Sequence, residues 1–321
     1  MAEHLLRATP PTVHWGFLDG ALPAAVVIDS GDRVTIETVN GQARDLIGLE
    51  FPLLADHAEI LRHCAPRLGP HILTGPVGVR GAEPGDVLEV RVLDVRLRQN
   101  WGWNAMRPLR GSLPEEFCET RLLHVPIDRE RMVASLPFGV ELPLHPFFGI
   151  MAVGPRKAYG AVSTIEPREY GGNIDNKELG PGSRVFFPVQ TPGALFSAGD
   201  GHAVQGDGEV NLTALETSLT GTFEFHLHKG ATLRLPVAIT PTDLITMAFH
   251  EDLDVAAREA LREMIHLLRH SQGWRAADAY AFCSMACNLR ITQMVDGNKG
   301  VHAMVRRGLI GDVTPQHFLP A

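Results

Sequence analysis

From Ala24 to about Thr240 the apolar residues come in short runs, alternating with polar ones and repeatedly cut by glycine or proline. A period of two over a few residues marks half-buried strands, and proline within such runs belongs at sheet edges and strand ends. A chain punctuated this way has to close its core with stacked or curved sheets rather than with a helical bundle. AAVVIDSGDRVTIETV, residues 24–39, alternates about a Ser-Gly-Asp turn and predicts a hairpin. GPHILTGPVGVRGAEPGDVLEVRVLDVRL, residues 69–97, places the turn residues Gly81, Pro84, Gly85 and Asp86 before a strand at Val87–Leu97. LHVPIDRERMVASLPFGVELPLHPFFGIMAVGP, residues 123–155, gives further short strands broken by proline. Gln42–Cys64 has room for a short helix, and Trp101–Leu122 reads as an irregular loop over a core edge or pocket.

The period changes near the C-terminus. After Val210–His228, read as two strands hinged near Ser218–Gly221, and Leu233–Thr240, the segment from Glu251 to His270 puts Leu253, Ala257, Leu261, Met264, Ile265 and Leu268 on one helical face, with Asp252 as cap. Ala276–Cys287 predicts a second helix with Ala276, Tyr280, Cys283 and Cys287 in register. Leu289–Val295 and residues 301–305 predict a hairpin about a turn at Asp296–Gly300. The expected fold is mainly β, a β-sandwich plus β-barrel body with a C-terminal α+β piece. Its expected regions are 1–160, 161–240 (bearing the site) and 241–321.

A formal charge of -8, with no basic stripe, argues against nucleic acid as a partner. No 18-residue apolar run and no apolar signal core occur, so neither a membrane span nor export is expected, and the chain is read as cytoplasmic. Four cysteines, Cys64, Cys118, Cys283 and Cys287, are too few and scattered for a disulfide framework.

The stretch Tyr170–Glu216 holds the chemistry. Two glycine-rich segments, Gly171–Pro181 and Gly199–Gly208, carry or border Asn173, Asp175, Asp200, His202, Asp207 and Glu209, with an apolar strand between them. No lysine follows the glycines to make a phosphate cradle, and the GxSxG, HExxH and paired CxxC patterns are missing. What remains is a carboxylate–imidazole set. Asp200 and His202, two residues apart, share a face if extended. Such donors suit zinc or another first-row divalent ion, whereas an all-carboxylate shell favours calcium or magnesium. Asp207, between glycines, reads as a turn former. Glu209 and Glu216, seven apart, fall on opposite faces of a regular strand unless a bulge or bend intervenes, and Glu216, on the apolar face, needs a partner. His226 and His228 read as the polar face of a strand. His14, His71 and His302 have no informative spacing.

In HILTGPVGVRGAEPGDVLEV, LHPFFGIMAVGP, GGNIDNKELGPGSRVFFPVQTPGALFSAGDGHAVQGDGEVNLTALE and AFCSMACNLRITQMVDGNKGVHAMV, the chain resembles the acetamidase/formamidase family, in family order over about residues 70–305. The resemblance implies hydrolysis of the C–N bond of small non-peptide amides to a carboxylate and ammonia. It also implies a bound divalent metal and a homo-oligomer. The alternatives are a lactam or urea-like amide hydrolase, or a non-catalytic β protein that binds a metal or small ligand. On this reading Asp200 and His202 hold the metal, with Asp175 as third ligand. Zinc is expected first, with calcium or manganese as alternatives. Glu209 is the expected base, His145 and Asn173 orient the carbonyl, and Asp175 or Glu216 is the alternative for the role of Glu209. Asn288 stands where many relatives carry an acidic residue.

Overall fold

The computed structural model describes residues 1–311 and 313–317. One sheet has nine strands, in spatial order Glu3–Leu6, Arg33–Glu37, Leu219–His228, Val87–Leu97, Arg184–Pro188, Val237–Ile239, Asp243–His250, Lys299–Arg306 and Cys287–Gln293. All neighbours in it are antiparallel except the first pair. A second sheet of eleven strands is built around Phe196–Val204, which pairs with Ile72–Val79, Phe147–Ala152 and Leu215–Glu216. Among the described residues no pairing joins the ends of either sheet.

The two sheets stack through a shared core. Val34, Ile36, Val90, Phe223 and Phe225 of the first meet Leu73, Val77, Phe148, Ile150, Phe196 and Ala198 of the second. Phe223 anchors this contact, with ring centroids 5.4 Å from Phe148 and 5.6 Å from Phe196. Alternation explains the arrangement. In Asp243–His250, Ile245 and Met247 enter the sandwich, while Leu244 and Ala248 point outward. That outer face is covered by the helix Leu253–Gln272, whose Ala256, Ala260, Met264, Leu267 and Leu268 pack on Leu244, Ala248, Val301, Ala303 and Val305. Asp252 caps it as expected, its Oδ1 accepting from the Val255 N–H at 3.0 Å. The mainly β body and the α+β C-terminal piece are therefore both present.

Several local expectations change. The segment 24–39 does turn at Ser30–Asp32, but its arms part: Val26–Ile28 pairs with Ile72–Val79 in one sheet and Arg33–Glu37 joins the other. Alternation reveals strands and turns but not which sheet receives each arm. Trp101–Met106 is a strand rather than loop, with Trp101 and Trp103 buried. The second helix, Ala276–Ala286, buries Ala279 and Cys283 and leaves Tyr280 61% exposed. Short apolar helices carry little periodic signal, so the inward face was not legible. The terminal hairpin forms between Cys287–Gln293 and Lys299–Arg306.

Candidate active site

Asp200 and His202 lie on the strand Phe196–Val204, where a glycine loop was expected, and His202 Nε2 is 3.3 Å from Asp200 Oδ2. Asp200 has φ 54°, and this left-handed step reverses the strand's alternation. Phe196 and Ala198 before it and Ala203 after it all reach the sandwich core. Asp175 follows the short strand Gly171–Asn173 and is held by its N–H donating to the Gly149 carbonyl at 3.1 Å. Its Oδ1 is 3.8 Å from His202 Nε2. One reason these side chains can converge is Gly149: a Cβ there would come within 3.0 Å of Asp175 Oδ1, Asp200 Oδ2 and His202 Cε1.

Glu209 and Glu216 both enter this site. The segment between them is not a regular strand, because Glu209 (φ 47°) and Leu212 (φ 111°) turn the chain, with the Leu212 N–H donating to the Glu209 carbonyl at 3.2 Å. This is the bend that parity required. Glu216, opposite His202 in the sheet, has Oε2 3.3 Å from His202 Nε2 and accepts from Asn40 Nδ2 at 2.8 Å and from the Ala214 N–H at 2.9 Å. Ligand atoms within 4.8 Å of one another form three overlapping groups: Asp175, Asp200 and His202; His202, Glu209 and Glu216; Asp175, Glu209 and Asp296. Asn173 is buried at the cavity wall, its Oδ1 without a hydrogen-bond partner. His145 is exposed and does not line the cavity, because its side chain leaves the extended segment before Pro146 on the solvent side. Asn288 is likewise exposed on an edge strand.

Four participants escaped the sequence reading. Asp296 looked like a hairpin-turn residue, but Gly208 and Gln293 bridge, which carries that turn against Glu209. Asn40 donates to Asp200 Oδ1 at 3.3 Å as well as to Glu216. His71, with Nε2 4.0 Å from Asp200 Oδ2, belongs to a distant strand end. Gln205 Oε1 accepts from His202 Nδ1 at 2.9 Å, which fixes the imidazole so that Nε2 faces the carboxylates. Its own Nε2 donates to the Asp175 carbonyl at 2.8 Å. A local signal existed only for Gln205, inside the HAVQGDGE block. By contrast, His226 bonds Glu224 at 2.7 Å and His228 bonds Glu89 at 2.8 Å, as a polar strand face does.

The electrostatics follow from five carboxyls sharing buried space with one imidazole. Burial, reinforced by Asp175, pushes Glu209 well above the usual carboxyl range, and burial with Asp175 and Glu209 does the same to Asp296. Burial raises Glu216 to about 7 against the pull of His202. Burial also works to raise Asp200, but His71 and His202 outweigh it and hold that carboxyl low. Burial opposes a charge on His202, yet Glu216 and Asp200 overcome it and lift its pKa well above the ordinary histidine value. Positive charge is strongly favoured at this point. Both Asp175 carboxyl oxygens, Glu209 Oε2 and Asp296 Oδ2 are buried without a hydrogen-bond partner. Unpartnered buried carboxylate oxygens around an oriented imidazole fit a divalent cation. Among these residues Asp200, Glu209, Glu216 and Asp296 also line a cavity of about 440 Å³.

The model of the Acetamidase/Formamidase family matches residues 15–159 and 156–305. The chain is 32% identical over 202 residues to the acetamidase of Mycolicibacterium smegmatis, covering 44% of this chain and 49% of that protein. It is 32% identical over 193 residues to the formamidase of Methylophilus methylotrophus, covering 44% and 47%. The chain thus spans about half the length of these curated relatives. A solved acetamidase structure from Bacillus halodurans matches with a TM-score of 0.82 at 27% identity, covering 96% of this chain and 100% of that one. The glycine that lets the acidic residues meet and the bend that joins Glu209 to Glu216 both lie within the matched span, and the chain belongs to the acetamidase/formamidase family.

Proposed function

We propose that the chain hydrolyses the C–N bond of linear, non-peptide amides, converting amide and water to a carboxylate and ammonia. The observation that carries this reading is the convergence of Asp175, Asp200, His202, Glu209 and Glu216 in one cluster, of which Asp200, Glu209 and Glu216 reach the wall of the cavity, in a chain of this family. Asp175, Asp200 and His202 are the proposed ligands of a divalent ion, zinc first because an imidazole completes the set, with manganese or calcium as alternatives. Bound there, such an ion supplies Lewis acidity, lowering the pKa of a water to about 7 and polarising the amide carbonyl.

The chain's own residues do the rest. Glu209 lines the cavity and has an unpartnered Oε2, so one carboxyl oxygen is free to meet the attacking water. It takes the proton from the attacking water and gives it to the departing nitrogen, a role worth about 10²–10⁴ in rate. The Asn173 Oδ1 accepts an amide N–H and orients the carboxamide. Glu216, tied to Asn40 and the Ala214 N–H, holds the His202 ring and is the alternative base.

Assembly as a homo-oligomer belongs to the same proposal, supported by exposed Tyr280, Met285, Leu289 and Ile291 about the edge strand Cys287–Gln293. A cytoplasmic location is supported by four free cysteines. No helix among the described residues is long and apolar enough to cross a membrane.

Ammonia release from formamide, acetamide and longer linear amides tests the reaction. Metal-loaded protein turns over at least one of them, chelator-stripped protein loses the activity, and Glu209→Gln lowers kcat by about 10²–10⁴ while still binding metal. Full activity after stripping removes the metal role, and wild-type activity in Glu209→Gln removes Glu209 from the chemistry.

A further inference from the structure

The cavity above these carboxylates is far larger than acetamide needs. At about 440 Å³ it lies among sites that accept drug-sized molecules, roughly 300–1,000 Å³. Its charge also reverses from floor to mouth. The floor is acidic, but the wall toward solvent carries Arg44, Arg67, Arg107 and Arg110 against a single carboxylate, Asp45. Arg107 engages that carboxylate through Nη2, and Arg44 Nε stands 3.9 Å from it. Arg67 rests its guanidinium 4.9 Å from the centre of the Phe17 ring, and among the described residues neither Arg67 nor Arg110 is ion-paired. A second feature of the same cavity points to a bound acceptor. Trp103 is 6% exposed, lines the wall, and has a buried indole N–H with no hydrogen-bond partner. On a chain of net charge -8, a rim of this sign draws anions toward an opening whose floor would otherwise repel them.

We propose that the rim is a carboxylate subsite and that the preferred substrates are monoamides of dicarboxylic acids. The amide sits at the floor and the second carboxylate sits among Arg44, Arg110 and the Trp103 N–H. Arginine's planar fork matches a carboxylate in two-point contact, and the indole N–H adds a donor that a neutral alkyl tail leaves unsatisfied. The inference rests on the amide-hydrolase reading for its substrate, but the anion subsite is measurable without turnover.

The test compares succinamate with butyramide, which has the same chain length and no carboxylate. Steady-state ammonia release gives a kcat/KM about ten-fold or more higher for succinamate, carried mainly by KM and shrinking as salt is raised. Arg110→Gln reduces the succinamate-to-butyramide ratio several-fold, Trp103→Phe reduces it less, and Arg129→Gln on a remote exposed loop leaves it unchanged. In parallel, calorimetry measures succinate and butyrate binding, with succinate expected to bind about ten-fold tighter in the wild type and with that margin lost in Arg110→Gln. Equal ratios for the two amides, together with equal binding of the two acids, overturn the subsite while leaving the amidase reading intact. Absence of any amide turnover, with succinate still bound tighter through Arg110, overturns the amidase reading and keeps the subsite.

Discussion

Gly149 shows how much of the chemistry depends on an atom that is missing. It sits in LHPFFG, a block whose similarity was visible in the sequence, but nothing in that block says why glycine is required. The reason is tertiary: the space a Cβ would take is occupied by carboxyl and imidazole atoms from three other positions. Gly149→Ala must therefore push Asp175, Asp200 or His202 out of place. A displacement of that kind is expected to cost about 10–100-fold in metal affinity, as loss of an orienting partner does, with activity falling at least in parallel. Metal titration with a chelating indicator checks it, and unchanged affinity in a folded Gly149→Ala variant defeats the argument. The same residue scale holds three acidic side chains with left-handed backbones, Asp175, Asp200 and Glu209. Each such conformation costs about 1–3 kcal/mol and persists where surrounding structure over-determines it. Aspartate and glutamate in glycine-rich loops read equally well as turn residues, so the composition of Tyr170–Glu216 marked the place. Within it Asp207, between glycines, reads as a turn former and pairs with Lys177 at 3.0 Å, while Glu209 lines the cavity.

Elements were legible where one period ran long enough. The strand Val87–Leu97 and the helix from Leu253 appear with nearly the expected bounds. What the pattern missed is the centre of the helix face. Leu253, Ala257, Leu261 and Ile265 were expected inward and are only half-buried, while Ala256, Ala260 and Met264 are fully buried. The small alanines let the helix come close to the sheet, where Thr246 Oγ1 donates to the Ala260 carbonyl at 2.7 Å, and hydrophobicity alone undervalues alanine as a contact residue. This ordering is testable. Met264→Ala opens a cavity at the tightest point and is expected to cost about 2–5 kcal/mol, and Ile265→Ala, at the margin, clearly less. Urea denaturation of both variants measures the difference. Equal losses would return the face to its sequence-derived position. The parity argument allowed Glu209 and Glu216 one site only if the chain bends between them, and Glu209 and Leu212 supply that bend. Likewise, no local pattern brings Asp296 to Glu209, since the bridge between Gly208 and Gln293 crosses some eighty residues of sequence.

At the scale of the whole molecule, the interleaved sheets place ionisable groups where the sequence shows no reason for them. His14 had no informative spacing, yet its ring is buried between strands, Nδ1 2.6 Å from the Phe17 carbonyl and Nε2 3.0 Å from Ser197 Oγ. Burial, only partly opposed by the Phe17 carbonyl, lowers its pKa to about 4, and burial also lowers His302 to about 4. An unfolded histidine titrates near 6.5, so between the two values the unfolded chain binds the extra proton. The stability these rings contribute by staying neutral is full above pH 6.5 and is lost as pH falls toward 4. Each should remove about 2.5 kcal/mol between pH 7.5 and 4.5, a sizeable part of the about 5–15 kcal/mol that holds a domain folded. The acidic cluster titrates in the same range with the opposite sign, because raised carboxyl pKa values make the folded state the proton acceptor. Comparing wild type with His14→Gln at each pH cancels that contribution. The variant is expected to be the less stable protein at pH 7.5, and its disadvantage should shrink by about 2.5 kcal/mol by pH 4.5. A difference that stays constant across that window would falsify the assignment of His14 as a buried neutral ring, and would move the origin of acid sensitivity to His302.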